Sequence, residues 1–599
     1  MKGWMGKIAV VDLSSGNITE NEIDSEIREK YLGGRGLGVH MMFNKVGPEV
    51  APLSAKNLLI FATGPLTGTK APTSSRISLS TKSPLTGTIF DSNAGGEWGI
   101  QLKQAGYDAL IIKGKASSPV FIDINEKEIQ IKDAKRLWGG ETFESIKLLK
   151  KLKRNKVSIA CIGPAGENLV KFASIMVDEH GTFGRGGVGA VMGSKNLKAI
   201  CVSGKKKVEI ADSEQLDFVI YETKKWIKAN PLTFVGLPEF GTPVLVNLVN
   251  RMGIFPVKNY QTSYIKEVGN ISGEKIKEKI FVRRAACPTC PIGCRRITQT
   301  KNEKGKGPEF ETVYSLGAMC CIFDLEVVAE ANYLCNRLGL DTISTGVTIA
   351  CTMELKERGI VDAGISFGEK DKIKEIIKNI AYRQGIGDDL AEGSRLFALK
   401  YKAEDYAMQV KGLEFPAYDP RGMKGMGLAY ATSNRGACHL RAYMVGPEIL
   451  GIPKLINRFT ALGKAGLLIY IQNLNAALDT LIFCRFGGFA ISDDYYARLV
   501  SAVTGWQIEP YNLQIIGERI WNLERLYNLR EGFSRKDDLL PSRMLKEPLT
   551  QGPSKGETVS LNKMLDEYYL CRGWNKEGIP GGRKLKSLGL NSGKEEKDV

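Results

Sequence analysis

The sequence predicts an α+β protein in which a β-rich N-terminal domain, residues 1–208, is followed by two mainly α-helical domains, residues 209–410 and 411–599. Short strand patterns separated by glycine-rich loops fill the first third of the chain. From about residue 209, apolar residues recur at helical spacing. A chain of 599 residues also exceeds the ~250–300 residues at which single cores stop growing, so several domains are expected.

The N-terminal strands are predicted from short apolar runs bounded by turn residues. Residues 7–12, the turn at 14–17 and a polar return strand are typical of a hairpin. Residues 120–124 and 129–131 predict a second hairpin across Asn125. Further strands are predicted at residues 57–62, 76–80 and 108–113.

Helices are predicted in the later regions from amphipathic spacing. Residues 214–228 form one such pattern, and residues 325–340 form another that places Val327, Ala331, Leu334 and Leu338 on one face. The glycine-rich run 421–427 begins the third region. The chain is expected to end in a frayed polar tail after about residue 585.

Composition and charge restrict the classes of function. The chain is 43% hydrophobic and 25% charged, which is ordinary for a globular protein, and it contains no apolar run of 18 residues that would predict membrane insertion. The N-terminus has no signal-peptide pattern. Twelve cysteines without a secretion signal indicate reduced thiols and a cytoplasmic protein.

The net charge of +17 favours an acidic protein partner or an anionic substrate. Nucleic-acid binding is the weaker interpretation because no basic module interleaved with aromatic residues occurs. The lysine-rich run 147–156 is typical of a solvated helix face.

Three cysteines fall within residues 287–294, namely Cys287, Cys290 and Cys294. Three thiolates from one short loop, with a distant fourth cysteine, are a common way to hold a [4Fe–4S] cluster. A zinc site would also need four ligands, usually as two pairs, and no second Cys-x-x-Cys pair occurs. Spacing alone therefore favours a cluster and leaves zinc or unligated buried cysteines as alternatives.

Several blocks together resemble the tungsten-containing aldehyde:ferredoxin oxidoreductases. Examples are Thr63-Gly-Pro-Leu-Thr-Gly, the Cys287–Cys294 loop and Asn434-Arg-Gly-Ala-Cys-His-Leu-Arg. The blocks follow the order of the family and cover nearly the whole chain. They lie at residues 63–68, 71–76, 91–96, 184–199, 287–294, 307–312, 338–344, 416–421, 431–441 and 479–484.

The resemblance implies a fold, cofactors and a reaction. The β-rich domain would cradle a tungsten (or molybdenum) bis-pterin cofactor, with Mg²⁺ between the pterin phosphates, and the helical domains would cover it. The implied enzyme oxidises small aldehydes to carboxylic acids with water. Its electrons would pass through one [4Fe–4S] cluster to ferredoxin or another iron–sulfur electron-transfer protein.

Cluster ligands follow from the resemblance. They are Cys287, Cys290, Cys294 and, from the third domain, Cys484. The alternative for Cys484 is a small buried hydrophobic residue. The remaining eight cysteines are expected in the core.

The resemblance also implies the residues that contact the pterins. Glycines let backbone N–H groups approach a phosphate, and an arginine supplies forked donors. Arg76 matches an arginine between a pterin and the cluster. The implied contacts are Arg76, Asn93, Gly95, Gly181, Thr182, Gly184, Asn336, Asp341, His439, Leu440, Arg441, Asp479 and Phe483.

Two of these blocks depart from the pattern Asp-x-x-Gly-Leu-(Asp/Cys) of the family. Asn336 replaces the leading aspartate of the first copy, and Ile482-Phe483 replace Gly-Leu in the second copy. These changes place the contacts at those positions in question. For Asp341 and Asp479 the alternative role is helix or turn capping.

Catalysis is assigned by the resemblance to Glu311 and His439. Aldehyde oxidation needs a base for the proton of water and a donor to polarise an oxygen. Glu309 is the alternative carboxylate, and Tyr418 is a candidate for hydrogen bonding in the substrate pocket.

Some family members bridge two subunits with an iron held by Glu-x-x-His. The corresponding run here is Glu330-Ala-Asn-Tyr333, so we expect no such iron, and a homodimer without it stays compatible with the sequence. Two other functions stay open. One is the catalytic subunit of a multisubunit tungsten complex, including the aromatic acyl-CoA reductase type, and the other is a zinc-stabilised binding protein.

Overall fold

A computed structural model describes residues 1–152 and 156–590. Strands form at every position that the sequence predicts. Those of the N-terminal region are β1 Lys7–Asp12, β2 Ile18–Glu22, β3 Leu59–Ala62, β4 Arg76–Lys82, β5 Ile89–Gly95, β6 Ala109–Lys113, β7 Val120–Ile124, β8 Ile129–Asp133, β9 Ser158–Ile162, β10 Ile175–Val177, β11 Gly181–Phe183 and β12 Leu197–Val202.

These strands form two mixed sheets. The first has the order β2-β1-β6-β3-β4-β5 and the second has the order β11-β10-β9-β12-β7-β8. Both predicted hairpins are present, since β1 pairs with β2 and β7 pairs with β8, antiparallel in each case. The pairs β1–β6 and β7–β12 are parallel. One apolar core lies between the sheets and joins residues such as Leu59, Ile77, Ile122 and Ile162.

The edge strands β5 and β11 of the two sheets meet. A Cβ added at Gly181 would lie 2.4 Å from the carbonyl oxygen of Gly95, so only glycine allows this approach. The meeting edges carry the predicted pterin residues Asn93, Gly95, Gly181 and Thr182. The functional cavity lies at this point.

Helices dominate after the two sheets, which confirms the predicted α+β class. The described α-helices are α1 Ser25–Tyr31, α2 Gly34–Lys45, α3 Trp98–Ala105, α4 Thr142–Leu152, α5 Pro164–Glu167, α6 Val188–Ser194, α7 Ser213–Ala229, α8 Leu237–Phe240, α9 Leu245–Arg251, α10 Gly273–Lys279, α11 Phe310–Thr312, α12 Leu325–Leu338, α13 Thr342–Glu357, α14 Ile373–Tyr382, α15 Ile386–Leu390, α16 Ser394–Lys400, α17 Lys424–Thr432, α18 Lys464–Leu481, α19 Asp493–Thr504, α20 Pro510–Arg530, α21 Ser542–Lys546, α22 Leu561–Arg572 and α23 Gly582–Ser587.

Two small sheets interrupt the helical part. The first contains β13 Phe281–Ala285, β14 Arg295–Gln299 and β15 Lys304–Lys306, and the second contains β16 Gln409–Val410 and β17 Leu413–Glu414. The helices share one large apolar core, while α2, α18, α19 and α20 pack against the outer face of the first sheet. The domain boundaries near residues 208 and 410 stay predictions.

Among the described helices, none is by itself both long enough and apolar enough to span a bilayer. Two helix pairs that bend sharply at a short break reach that length and composition when each pair is taken together.

The expected tail begins later than residue 585. Residues 582–587 form α23, and Leu588 and Leu590 are buried against the core that contains α20. The charged end, residues 591–599, lies outside the described residues. So do residues 153–155 of the lysine-rich run, whose preceding part is the amphipathic α4 with Ile146 and Leu149 buried.

Close packing of α18 against α20 yields a stability prediction. A Cβ at Gly517 of α20 would lie 1.9 Å from the carbonyl oxygen of Asn473 in α18, so Gly517→Ala must force the helices apart. We expect a loss of about 1–3 kcal/mol. The measurement is the apparent thermal midpoint at a fixed scan rate.

The matched control is Gly466→Ala on α18, where an added Cβ meets nothing within 4 Å. This change is expected to stabilise the helix by about 0.5–1 kcal/mol. A Gly517→Ala protein that melts no lower than wild type would contradict the close approach of α18 and α20.

Candidate active site

One internal cavity of about 410 Å³ lies between the meeting sheet edges and the helical regions. Every residue that the sequence analysis assigned to the cluster, the pterins or catalysis lines this cavity, including Glu309 and Tyr418. The structure therefore brings together segments that are up to about 400 residues apart in the chain and leaves none of the assigned residues elsewhere.

The four predicted cluster cysteines meet at one end of the cavity. Cys287, Cys290 and Cys294 come from the loop between β13 and β14, and Cys484 follows α18. The backbone N–H of Cys484 donates to the carbonyl of Thr73 at 3.0 Å. Burial raises the pKa of Cys290 to about 11, and the neighbouring Cys484 and Cys287 also raise it.

This donor set fits an iron–sulfur cluster. Buried thiols with raised pKa values resist ionisation, and a bound cationic centre reverses that preference. Cys294 shows the same effect, because its pKa is raised by burial and then by Glu309 and the other cysteines. No group of three or more His, Cys, Asp or Glu side chains in residues 1–152 and 156–590 is arranged to hold a single metal ion.

Arg76 lies between the cysteines and β5. Burial lowers its pKa, but its hydrogen bond and charge interaction with Cys484, and its proximity to Cys287, raise the pKa overall. Its Nη1 donates to the carbonyl of Asn93 at 3.4 Å. This position links the cluster end of the cavity to the strand predicted to contact a pterin.

The remaining cavity is suited to an anionic ligand. Seven cationic side chains line it against four carboxylates. Arg435 and Arg441 each have a buried Nε–H without a partner in the described chain, and Arg485 has two such N–H groups. Buried donors of this kind require an acceptor, so the residues fit a phosphorylated, hydrogen-bonding pterin ligand.

Gly95 and Gly184, two of the glycines predicted to contact a pterin, differ in how closely other atoms approach them. A Cβ at Gly95 would lie 3.3 Å from the Sγ of Cys287. A Cβ at Gly184 would meet only Thr182, at 3.9 Å, which leaves free space on the cavity side. The hydroxyl of Thr182 donates to the sulfur of Met176 at 3.2 Å.

A buried group of arginines holds Asp479. Its Oδ2 lies 3.3 Å from Arg35, 3.1 Å from Arg441 and 2.7 Å from Arg485. Asp479 lies within α18, so it does not act as a cap. Its carboxylate instead compensates three positive charges beside the cavity.

The same network reaches β5 and α20. Arg441 pairs with Asp91 of β5, and Arg35 forms two 2.7 Å hydrogen bonds with Glu524 of α20. Burial by itself would raise the pKa of Asp91, but Arg441 and Arg35 lower it well below its usual range. The Nδ2 of Asn93 donates to Asp91 at 3.1 Å, so a predicted pterin residue depends on this network.

Asp341 is a helix cap. Its Oδ1 accepts from the backbone N–H of Ile343 at 3.0 Å at the start of α13, which is the alternative role that the sequence allowed. Its Oδ2 accepts from Arg185 at 3.1 Å and from Ser344 at 2.9 Å. Asp341 therefore holds Arg185, which also lines the cavity.

The departures from the family pattern have visible local consequences. Asn336 lies in the last turn of α12 and lines the cavity as an amide. Ile482 has φ +64°. Glycine adopts this conformation freely, whereas a β-branched residue rarely does. The corresponding glycine of the first copy, Gly339, has φ +77°. Phe483 is buried and packs edge-on against Tyr496 at 4.7 Å.

Glu311 and His439 face each other in the cavity. The distance from Glu311 Oε1 to His439 Nε2 is 3.5 Å, and the other oxygen of Glu311 accepts from the backbone N–H of Ala417 at 3.0 Å. Burial raises the pKa of Glu311 to about 8. Burial, Arg185 and Arg435 lower the pKa of His439 to about 3.

Glu309 lies in a different environment. Its Oε2 accepts from the hydroxyl of Thr242 at 2.7 Å, and Lys306 lies 3.4 Å from its other oxygen. Burial raises its pKa, but Lys306 and Thr242 lower the pKa overall. Carboxylates whose environments move their pKa values apart have different roles, and this favours Glu311 as the proton-transferring group.

Two tyrosine rings pack beside His439. The hydroxyls of Tyr418 and Tyr443 lie 2.8 Å apart, and both rings pack near the imidazole, at 5.8 and 6.1 Å. Leu440 lines the cavity next to them. The Nδ1 of His439 is buried and has no partner in the described chain.

The run Glu330-Ala-Asn-Tyr333, at which we expect no bridging iron, makes contacts within the chain. Glu330 accepts from Thr300 and Asn302 and pairs with Lys374 at 2.7 Å. At the position of the histidine stands Tyr333, whose hydroxyl lies 2.6 Å from that of Thr298. Glu330 is thus an internal ion-pair partner.

The cavity and network residues that sequence reasoning missed include Arg35, Asp91, Arg185, Arg435, Tyr443, Arg485 and Glu524. Asp91, Arg185 and Arg435 lie in stretches that match the family, and Arg485 follows a predicted ligand. Arg35 lies in the run Gly33-Gly34-Arg35-Gly36. A Cβ at Gly34 would lie 2.4 Å from the carbonyl of Asp479, so this position requires glycine. The glycine-rich run was therefore the sequence feature that could have pointed to Arg35.

The fold and the cavity fit a protein that binds a large anionic ligand beside a group of four cysteines. Comparison with known protein families identifies the class of enzyme. The N-terminal domain of aldehyde ferredoxin oxidoreductases matches residues 8–204, and domains 2 and 3 match residues 219–590. The chain belongs to this family and is a tungsten-dependent oxidoreductase, and membership implies a tungsten–pterin cofactor.

Individual relatives of known function are consistent with this family membership. The tungsten-containing aldehyde ferredoxin oxidoreductase of Pyrococcus furiosus is 47% identical over 98% of this chain and 99% of its own length. A WOR-like subunit of an aliphatic sulfonate oxidoreductase from the same organism is 31% identical over 100% of this chain and 98% of its own length. The active-site complex BamBC of benzoyl coenzyme A reductase is similar in structure, with a TM-score of 0.86, 26% identity and coverage of 98% and 97%.

The arginine network yields a second prediction. Asp479→Asn leaves Arg35, Arg441 and Arg485 without their shared carboxylate, so we expect a loss of about 3–5 kcal/mol of stability. The control Asp494→Asn removes an exposed partner of Arg498 and should change stability by less than about 0.5 kcal/mol. Thermal unfolding of both variants checks this, and equal midpoints would contradict a structural role for Asp479.

Proposed function

We propose that this enzyme oxidises small aldehydes to carboxylic acids with water. Each turnover converts one aldehyde and one water into one acid, two protons and two electrons. The observation that carries the proposal is that the Glu311–His439 pair and the four clustered cysteines line one cavity. The identity to aldehyde ferredoxin oxidoreductases over nearly the full chain supports the same reaction.

A tungsten centre held by two pterins would supply two-electron redox chemistry in this cavity. The N–H donors of Arg435, Arg441 and Arg485, with Asn93 and the glycines of β5 and β11, would hold the pterins. Mg²⁺ between the pterin phosphates belongs to the proposal because two adjacent phosphates repel each other.

Glu311 is proposed to move the proton. As a carboxylate it accepts a proton from water, or from the hydrate of the aldehyde, and its raised pKa makes it a stronger base than an exposed glutamate. The backbone N–H of Ala417 keeps one oxygen in place. The free oxygen, Oε1, faces His439.

His439 is proposed to orient the reacting oxygen. Its low pKa keeps the imidazole neutral, so it can donate a hydrogen bond without carrying a charge. Tyr418 and Tyr443 fix the position of the ring and supply hydroxyls for a carbonyl. Apolar side chains near the cluster loop, including Leu232, Val244 and Phe489, keep bulk water away from this pair.

Electrons are proposed to leave through a [4Fe–4S] cluster held by Cys287, Cys290, Cys294 and Cys484. Arg76 contacts Cys484 and the strand of Asn93, so it connects the two redox centres. The acceptor is a ferredoxin or another iron–sulfur protein, and the net charge of +17 favours an acidic one. A cytoplasmic location belongs to the proposal, since no disulfide links any of the twelve cysteines.

The second candidate is a catalytic subunit of a larger tungsten complex. The similarity to BamBC and to a WOR-like subunit favours it. Native purification followed by mass measurement separates the two: a chain that purifies alone or with identical copies supports the first proposal. Co-purifying iron–sulfur subunits support the second.

Catalytic roles can be tested by substitution. Glu311→Gln and His439→Asn should each retain tungsten, pterin and iron content yet lower aldehyde turnover by about 10²–10⁴-fold, because each removes an acid–base or hydrogen-bonding group. Glu309→Gln is the matched control and should lose far less. The assay is anaerobic aldehyde oxidation with a viologen dye.

The pH profile separates a chemical role from a structural one. Because the pKa of Glu311 is raised to about 8, the active carboxylate form grows as pH rises, and kcat/KM should increase tenfold per pH unit below that value and then level off. Glu311→Gln should remove this limb. An unchanged pH limb in Glu311→Gln, or near-wild-type turnover in both variants, would contradict these roles.

The cluster assignment has its own test. Cys484→Ser should lose most of the cluster iron, sulfide and brown absorbance, because one of four ligands is removed. Cys571→Ser, which changes an exposed thiol, is the control and should keep them all. Full iron content in Cys484→Ser, or zinc in place of iron in the wild type, would overturn the assignment.

A further inference from the structure

We propose that the surface where β13 enters the cysteine loop is the docking site for a small acidic iron–sulfur protein. We define this cluster-loop face by Val282, Arg283, Arg284, Thr289 and Pro291. The proposal rests on the proposed function, in which the four cysteines hold the last redox centre of the chain, and it names where the electrons leave.

The face is exposed and immediately next to the cluster ligands. All five residues are exposed, and Val282 is 41% accessible. Strand β13 ends two residues before Cys287. Gly293, which precedes Cys294, has φ +61°, and a Cβ there would lie 3.3 Å from the Cδ of Arg284. The side chain of Arg284 therefore lies beside the loop that carries the predicted ligands.

The charges of this face are not neutralised within the described chain. Arg283 and Arg284 form no ion pair there, while the nearby Lys275, Lys277 and Lys279 of α10 are each paired with a glutamate. Unpaired guanidinium groups attract and orient an acidic partner.

The composition of the face suits a transient electron-transfer contact. Electron-transfer encounters bury little surface and depend on charge complementarity, with a few apolar residues at the centre. Val282 and Pro291 are the exposed apolar residues of this face and would supply its apolar contact. Such a contact should weaken steeply with ionic strength.

One rival explanation is that the arginines only protect a sheet edge. Strand β13 is the outer strand of β13-β14-β15, and charged residues on an edge strand prevent unwanted pairing between chains. If the arginines have only that role, removing their charge should cause aggregation, and the affinity for an acidic partner should not change. Substitution by another charged residue therefore separates the two explanations.

The test is the double variant Arg283→Glu/Arg284→Glu in the loaded enzyme. The control is Lys135→Glu/Arg136→Glu, an adjacent exposed basic pair just after β8. Strand β8 lies at the opposite edge of its sheet from β11, five strand spacings or about 24 Å away. Both variants change the charge equally.

Each protein is assayed anaerobically with an aldehyde and either benzyl viologen or a purified acidic two-cluster ferredoxin, at low and high salt. Direct binding of that ferredoxin is measured in parallel. The Arg283/Arg284 variant should retain viologen activity, lose about ten-fold or more in kcat/KM for ferredoxin and in binding at low salt, and approach wild type at high salt. The control should match wild type throughout.

Unchanged ferredoxin kinetics and binding in the Arg283/Arg284 variant would overturn the proposal, and so would an equal loss in the control pair. Failure of the proposed function gives a different result. Wild-type protein would then show no aldehyde-dependent viologen reduction, while the binding measurement would still decide whether this face docks the acidic protein.

Discussion

Three arginines and three carboxylates meet inside the protein where the N-terminal sheet contacts the C-terminal helices. Arg35, Arg441 and Arg485 surround Asp479, and the pairs continue to Asp91 of β5 and Glu524 of α20. Such charges are stable in a buried position only when each is paired, so the elements that carry them must lie in one arrangement. Three residues of this network, Arg441, Asp479 and Arg485, line the cavity.

The glycines and the cysteines complete the same site. Gly95 and Gly181 allow the edges of two sheets to touch, and Gly34 allows α2 to approach the backbone of Asp479. Cys484 lies three residues after the end of α18, so one short segment carries both Asp479 and the fourth predicted cluster thiol. Cofactor binding and the joining of distant segments therefore depend on the same few residues, and unpartnered arginine N–H groups remain for an anionic ligand.

Local patterns in the sequence predicted β1 to β4, β6 to β8, both hairpins, α7 and α12, because apolar periodicity is a local property. They did not predict β5 or β9 to β12. The parallel pairing of β1 with β6 and the order of the second sheet were not predictable, since they depend on contacts between distant residues. The resemblance named residues that all line one cavity of the structure. It missed Arg35 and Arg485, because a buried arginine and an exposed one look the same in a sequence. The strained φ of Ile482 was also hidden until the backbone was known.

The most direct test of this account is a metal and pterin analysis of the wild-type protein purified without oxygen. The account requires tungsten (or molybdenum) and two pterins per metal in the arginine-lined cavity, with about four iron and four sulfide per chain at the cysteines. Protein that folds and is loaded in a competent host yet contains zinc, no pterin and no sulfide would contradict it.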